Sequence, residues 1–135
     1  MHMKRSPENS PINKILLIDD DPAANYLSKE LLERLNAAKV IETAENCLRA
    51  LELIKQVNCA DIILLDIKMP GLDGFDFLEK LKTLALSKKI KVVMLTSSLR
   101  PEEKLKAFSY KAVVEYFEKP LTPEKVQLIA SAYLN

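Results

Sequence analysis

The chain of 135 residues contains one histidine, His2, two cysteines, Cys47 and Cys59, and two glycines, Gly71 and Gly74. A lone histidine beside the N-terminus, far from either cysteine, excludes a His/Cys zinc site and a histidine-based triad on residue count alone. No apolar run exceeds four residues, whereas a membrane-spanning helix needs about 20. The N-terminus has no apolar signal core, so a cytoplasmic protein with reduced thiols is expected. Charge of one sign is also missing: 20 Lys and Arg stand against 19 Asp and Glu, a net of +1. Nucleic-acid binding by bulk electrostatics is therefore not expected. With 48% hydrophobic residues in a chain of this length, one domain with a real core is expected and disorder is not.

What is present is unevenly placed. Asp19, Asp20 and Asp21 are consecutive, and the two glycines stand three residues apart. Residues 1–11 are polar and without periodicity, and read as a flexible lead-in to a domain over 12–135. Ile15–Ile18 is a short apolar run of the kind that forms a strand buried on both faces. Asp21 then suits a helix N-cap and Pro22 the first helical position. Ala24, Leu27, Leu31 and Leu35 follow at helical spacing and predict an apolar stripe.

The unit repeats. Strands are predicted over Lys39–Thr43, Asp61–Asp66, Ile90–Thr96 and Val113–Phe117. Helices are predicted from Ala44 to about Lys55, after Gly74, from Pro101 and from Pro123. Their apolar faces carry Cys47, Leu48, Leu51 and Ile54; Phe75, Leu78 and Leu81; Leu105 and Phe108; and Val126, Ile129 and Tyr133. Asp73 reads as a helix cap, Gly71 and Gly74 as residues demanded by the turn before it, and Cys47 as core packing. The stretch Thr83–Lys91 reads as a solvated basic connection. Five strand–helix units in strict alternation give an α/β fold, a parallel sheet with helices on both faces.

Ligands of open parallel sheets bind beyond the carboxyl ends of the strands. Those ends deliver Asp19 and Asp20, Asp66, Thr96 and Lys119. Three carboxylates on one rim repel one another unless a cation joins them. Mg²⁺, a hard ion satisfied by oxygen ligands, suits such a set. A metal, a hydroxyl and a lysine are also the recurring parts of phosphoryl transfer, for which a carboxylate is a competent nucleophile.

Four segments, ILLIDDDP (15–22), ILLDIKMPGLDG (63–74), VVMLTSS (92–98) and YFEKP (116–120), resemble the signatures of response-regulator receiver domains, in matching order and spacing over residues 12–135. The resemblance implies a flavodoxin-like, doubly wound sheet in the order 2-1-3-4-5. It implies that Asp66 is the phosphoacceptor, with Thr96 a switch hydroxyl and Lys119 its charged partner. It further implies a Mg²⁺ site of Asp19, Asp20, Asp66 and the backbone carbonyl of Lys68, an aromatic switch at Tyr116, and a cis Lys119–Pro120 bond. The implied partners are a sensor histidine kinase or a histidine phosphotransfer protein and a downstream protein target, with no nucleic acid and no membrane. The protein would be a monomer or weak dimer that turns over no free substrate. The alternative is a receiver-fold module that binds partners independently of phosphorylation. A phosphatase acting through an aspartyl intermediate fits less well, because Lys68 stands where such enzymes usually place a second acid.

Overall fold

The computed structural model describes residues 10–86 and 88–134. The elements alternate in chain order: β1 (Lys14–Ile18), α1 (Pro22–Arg34), β2 (Val40–Ala44), α2 (Cys47–Ile54), β3 (Ile62–Leu65), α3 (Gly74–Thr83), β4 (Lys91–Thr96), α4 (Pro101–Phe108), β5 (Val113–Glu118) and α5 (Pro123–Leu134). All five strands are parallel, in the order β2-β1-β3-β4-β5. This is the expected doubly wound architecture, with every strand limit, those of β3 included, within one residue of the predicted one.

The apolar strands feed two cores because successive side chains point to opposite faces. Leu16, Ile18, Ile63, Leu65, Val92 and Met94 face one way, toward Cys47, Ala50, Leu51 and Ile54 of α2 and Phe77, Leu78 and Leu81 of α3. Ile15, Leu17, Ile62, Leu64, Val93 and Leu95 face the other, toward Leu31 and Leu32 of α1 and Val126 and Ile129 of α5. Burial on both sides is why these strands read as continuous apolar runs rather than as alternating ones. The cysteines are both free and buried.

The helix starts follow their local chemistry. Asp21 caps α1 by accepting from the Ala23 amide at 3.0 Å, with Pro22 following it. Asp73 and Asp76 form a capping box at α3, accepting reciprocally from each other's amides at 2.9 and 2.8 Å.

Four expectations about packing are corrected. Leu27 in α1 and Leu48 in α2 are exposed, and the buried face of α1 carries Asn25, Leu31 and Leu32 instead. Leu105 and Phe108 in α4 are 75% and 43% exposed, and only Ala107 of that helix is buried. Helical spacing finds an apolar stripe but not its partner; α4 lies over β5, an edge strand, where there is little core to face. The basic connection before β4 is not wholly solvated, because Lys88 Nζ lies 2.9 Å from both Asp61 Oδ1 and the Cys59 carbonyl. Asp61 Oδ2 in turn accepts from the amides of Asn13 and Lys14. Finally, Ser10 is packed: its buried hydroxyl donates to the Ala37 carbonyl at 3.0 Å. Residues 1–9 of the expected lead-in lie outside the described residues.

Candidate functional site

Strand register assembles the site. Ile18 pairs with Leu65, so the next residues, Asp19 and Asp66, emerge side by side. Hydrogen bonding continues past the strand ends: the Asp19 amide donates to Ala44, Asp66 to Ile18 and Lys119 to Thr96, at 3.1, 3.0 and 2.9 Å. Three of the four side chains at the centre are thereby carried on backbone fixed by its neighbour, and the fourth, Thr96, closes β4.

Carboxylate oxygens of Asp19, Asp20 and Asp66 lie within 4.8 Å of one another. Asp19 and Asp66 are buried and Asp20 is exposed. Lys119 Nζ bridges the buried pair, 2.5 Å from Asp19 Oδ2 and 3.1 Å from Asp66 Oδ2. The other oxygen of Asp19 accepts from the Asp21 amide at 3.0 Å. Thr96 is buried and its Oγ1 accepts from the Ser98 amide at 3.2 Å. Lys68 and Ser97 are exposed. The Lys119–Pro120 peptide is cis, as the resemblance implies. Tyr116 is half-buried; its hydroxyl donates to the Ser98 carbonyl at 3.1 Å and its ring lies 6.5 Å from that of Phe108.

Burial pushes the Asp66 carboxyl above its ordinary range. Hydrogen bonding and charge from Lys119 offset part of that rise, while the charge of Asp19 adds to it. For Lys119, burial pulls downward, but hydrogen bonds to Asp19 and Asp66 outweigh it and leave the ammonium harder to deprotonate than usual. The ion pairs thus hold the lysine charged, while burial makes a charged Asp66 costly. Two buried carboxylates share one ammonium, which leaves formal negative charge uncompensated, and Asp20 adds more at the rim. An all-oxygen set with excess negative charge fits a hard divalent cation.

Three residues that support the site are not apparent from the sequence. Asn25 is buried in α1, and its side-chain amide donates to the carbonyls of Asp19, at 2.9 Å, and Ala44, at 3.3 Å. It ties α1 to the turn that carries the acids. Lys125, on the first turn of α5, reaches back to the carbonyls of Glu118 and Pro120 at 2.6 and 3.0 Å, bracketing Lys119. Ser98 joins Thr96 and Tyr116 through its own backbone. Capping residues announce themselves by their place before a helix, but these contacts depend on how distant segments meet. Asn25→Ala leaves the buried Asp19 carbonyl without its donor, while the Ala44 carbonyl keeps the Asp19 amide. It should cost about 2 kcal/mol, measured by chemical denaturation, and should also weaken cation binding by loosening the Asp19 turn.

Residues 15–131 match the family described as response regulator receiver domain. A two-component response regulator from Cytophaga hutchinsonii superposes with a TM-score of 0.80 at 30% identity, over 92% of this chain and 98% of that one. The chemotaxis protein CheY4 of Vibrio cholerae gives 0.76 at 26% identity, over 89% and 97% of the two chains. In sequence, the probable C4-dicarboxylate response regulator DctR of Priestia megaterium is 31% identical over 119 residues, 88% of this chain and 50% of that protein. The chain therefore spans half the length of that relative.

Proposed function

Because the chain belongs to the response-regulator receiver family of two-component signalling, we propose that Asp66 accepts a phosphoryl group from a phosphohistidine and that the modified domain signals through a protein-binding surface. The observation that carries this reading is the Lys119 bridge between Asp19 and Asp66, with Thr96 buried beside them. A cation already placed between an electron-rich oxygen and its neighbour can move onto a phosphoryl oxygen without new desolvation.

The donor is a sensor histidine kinase or a histidine phosphotransfer protein. An oxygen of Asp66 attacks phosphorus as the bond from phosphorus to the imidazole nitrogen breaks, and the freed imidazole keeps that electron pair. Lys119 binds one oxygen of the transferred group and the Thr96 hydroxyl donates to another. Asp19, Asp20 and Asp66, with the Lys68 carbonyl, would hold Mg²⁺, which when bound neutralises charge on the phosphoryl oxygens. Asp19 and Asp20 keep that end of the site anionic, and Asn25 fixes the backbone between them and β2.

Thr96 drawn toward the modified Asp66 favours Tyr116 held inward beneath α4. That biases the surface of α4, β5 and α5, where Leu105 and Phe108 are exposed, with Leu99 exposed just before α4. A downstream protein reads that surface, and the domain itself turns over no free substrate. Among the described residues, no helix is long and apolar enough to cross a membrane, and we assign its work to the cytoplasm, as a monomer or weak dimer.

Incubation with a small phosphodonor and Mg²⁺ should add the mass of one phosphoryl group, read by intact-mass spectrometry. Chelation of the metal should slow labelling by at least about a hundredfold. A protein that stays at its unmodified mass with fresh donor and metal would overturn the reading. It would leave a module that binds partners independently of phosphorylation.

A further inference from the structure

We propose that the Ser98 side chain couples Thr96 to the position of α4 through Glu103, acting as a positioning residue for signal output rather than as a group that touches phosphorus. The proposal rests on the reading of Asp66 as phosphoacceptor. It concerns a contact that the phosphoryl chemistry does not require.

Ser98 is buried in the short connection between β4 and α4. Each of its polar groups has a partner on a different element. Its amide donates to Thr96 Oγ1 at the end of β4, and its carbonyl accepts from the Tyr116 hydroxyl on β5. Its own hydroxyl donates to Glu103 Oε1 in the first turn of α4 and accepts from the Arg100 amide at 3.4 Å. One residue thus touches the Thr96 hydroxyl, the Tyr116 hydroxyl and the first turn of α4.

The rest of α4 is lightly held. Only Ala107 is buried, and the N-cap residue Arg100 makes no side-chain cap bond. The remaining ties include cation–π approaches of Lys106 to Phe75, at 4.3 Å, and Lys104 to Tyr116, at 6.0 Å, each of modest strength where exposed. A helix with so little burial is an element whose position small forces can change. When Thr96 Oγ1 moves toward a phosphoryl oxygen, the Ser98 amide must follow or lose its acceptor. Ser98 cannot shift without carrying Glu103, and with it the first turn of α4. The hydroxyl converts a movement at β4 into a displacement of α4, beside the backbone route through Tyr116.

The coupling can be isolated, because Ser98→Ala removes the hydroxyl and keeps the amide and carbonyl that serve Thr96 and Tyr116. Amide exchange at Glu103 and Lys104, whose N–H groups donate to the Arg100 carbonyl, would be followed by NMR before and after labelling. Mass spectrometry on the same samples would normalise each response to the labelled fraction. Ser98→Ala and Glu103→Ala should each shrink the labelling-induced change in exchange by roughly two- to thirtyfold. The double variant should lose no more than either single one, and Ser98→Thr should restore the response. A wild-type response in the labelled Ala variants overturns the proposal, as do losses that add. So does labelled wild-type protein whose exchange at Glu103 and Lys104 is unchanged. Wild-type protein that takes no phosphoryl group removes the phosphoacceptor reading first and this proposal with it.

Discussion

Asp66→Asn protein is expected to remain at its unmodified mass under conditions that label the wild type, and at the same time to be the more stable of the two without metal. The first effect is all or none, because an amide oxygen is a far poorer nucleophile toward phosphorus than a carboxylate. The second follows from the cost of burying Asp66 in its charged form next to Asp19. Removing that charge does not orphan Lys119, which keeps its partner Asp19 at 2.5 Å. The gain should be on the order of 1 kcal/mol, the small surplus of desolvation over pairing.

The pH dependence identifies the cause. Asp66 titrates above its ordinary 3.8 when folded, so in the interval just above that value the folded protein binds more protons than the unfolded one. Stability from this group is complete below 3.8 and is lost as pH rises through the folded-state value. Asp66→Asn should remove that loss, and denaturation curves of the two proteins should separate as pH rises through that interval. Curves that stay parallel from pH 3 to 7 would sink the desolvation argument. Lys119, also raised, adds stability that persists at neutral pH and is lost only above its ordinary 10.5; it does not obscure the comparison.

Gly74→Ala should be the most damaging small substitution near the site, and Gly71→Ala a mild one. A Cβ on Gly74 would stand 2.4 Å from the Asp66 carbonyl oxygen and 2.9 Å from Ile67 Cα. Both are backbone atoms, and the Gly74 amide is bonded to the Ile67 carbonyl at 2.8 Å, so neither side can yield without moving Asp66. The loss should be about 3 kcal/mol, a fall in Tm of roughly 10 °C. Phosphoryl acceptance should fall as well, since the nucleophile moves with its backbone. Gly71 has a φ of +75° but nothing within 4 Å of its missing Cβ. Alanine there costs only the left-handed strain, about 1 kcal/mol. Equal losses at the two glycines would refute this division of roles.

Much of the fold was legible because its signals are local. Ile15–Ile18 and Asp61–Asp66 read as strands from their length and composition. Asp21 with Pro22, and Asp73 before Gly74, read as helix starts from their capping chemistry. The acids, Thr96 and Lys119 could be placed on one rim because a parallel sheet brings its strand ends together. Other features were not local. Leu27 and Leu105 sit at helical spacing yet face solvent, since spacing carries no information about what lies opposite. Asn25, Ser98 and Lys125 take their roles from polar groups carried by other elements, and nothing in their residue types announces those partners. Lys88 looked like part of a solvated run until the fold set it against Asp61.

The light anchoring of α4 has a consequence for how such a domain diversifies. Exposed helix positions away from caps and core tolerate replacement at about 0.5 kcal/mol or less, and Leu105 is such a position. The proposed chemistry, meanwhile, sits on strand ends whose side chains cannot change without loss of phosphoryl acceptance. On the proposed reading, a lineage can therefore rewrite the exposed face of α4 while the acceptor stays the same, and duplicated copies can part company in recognition without an unstable ancestor between them.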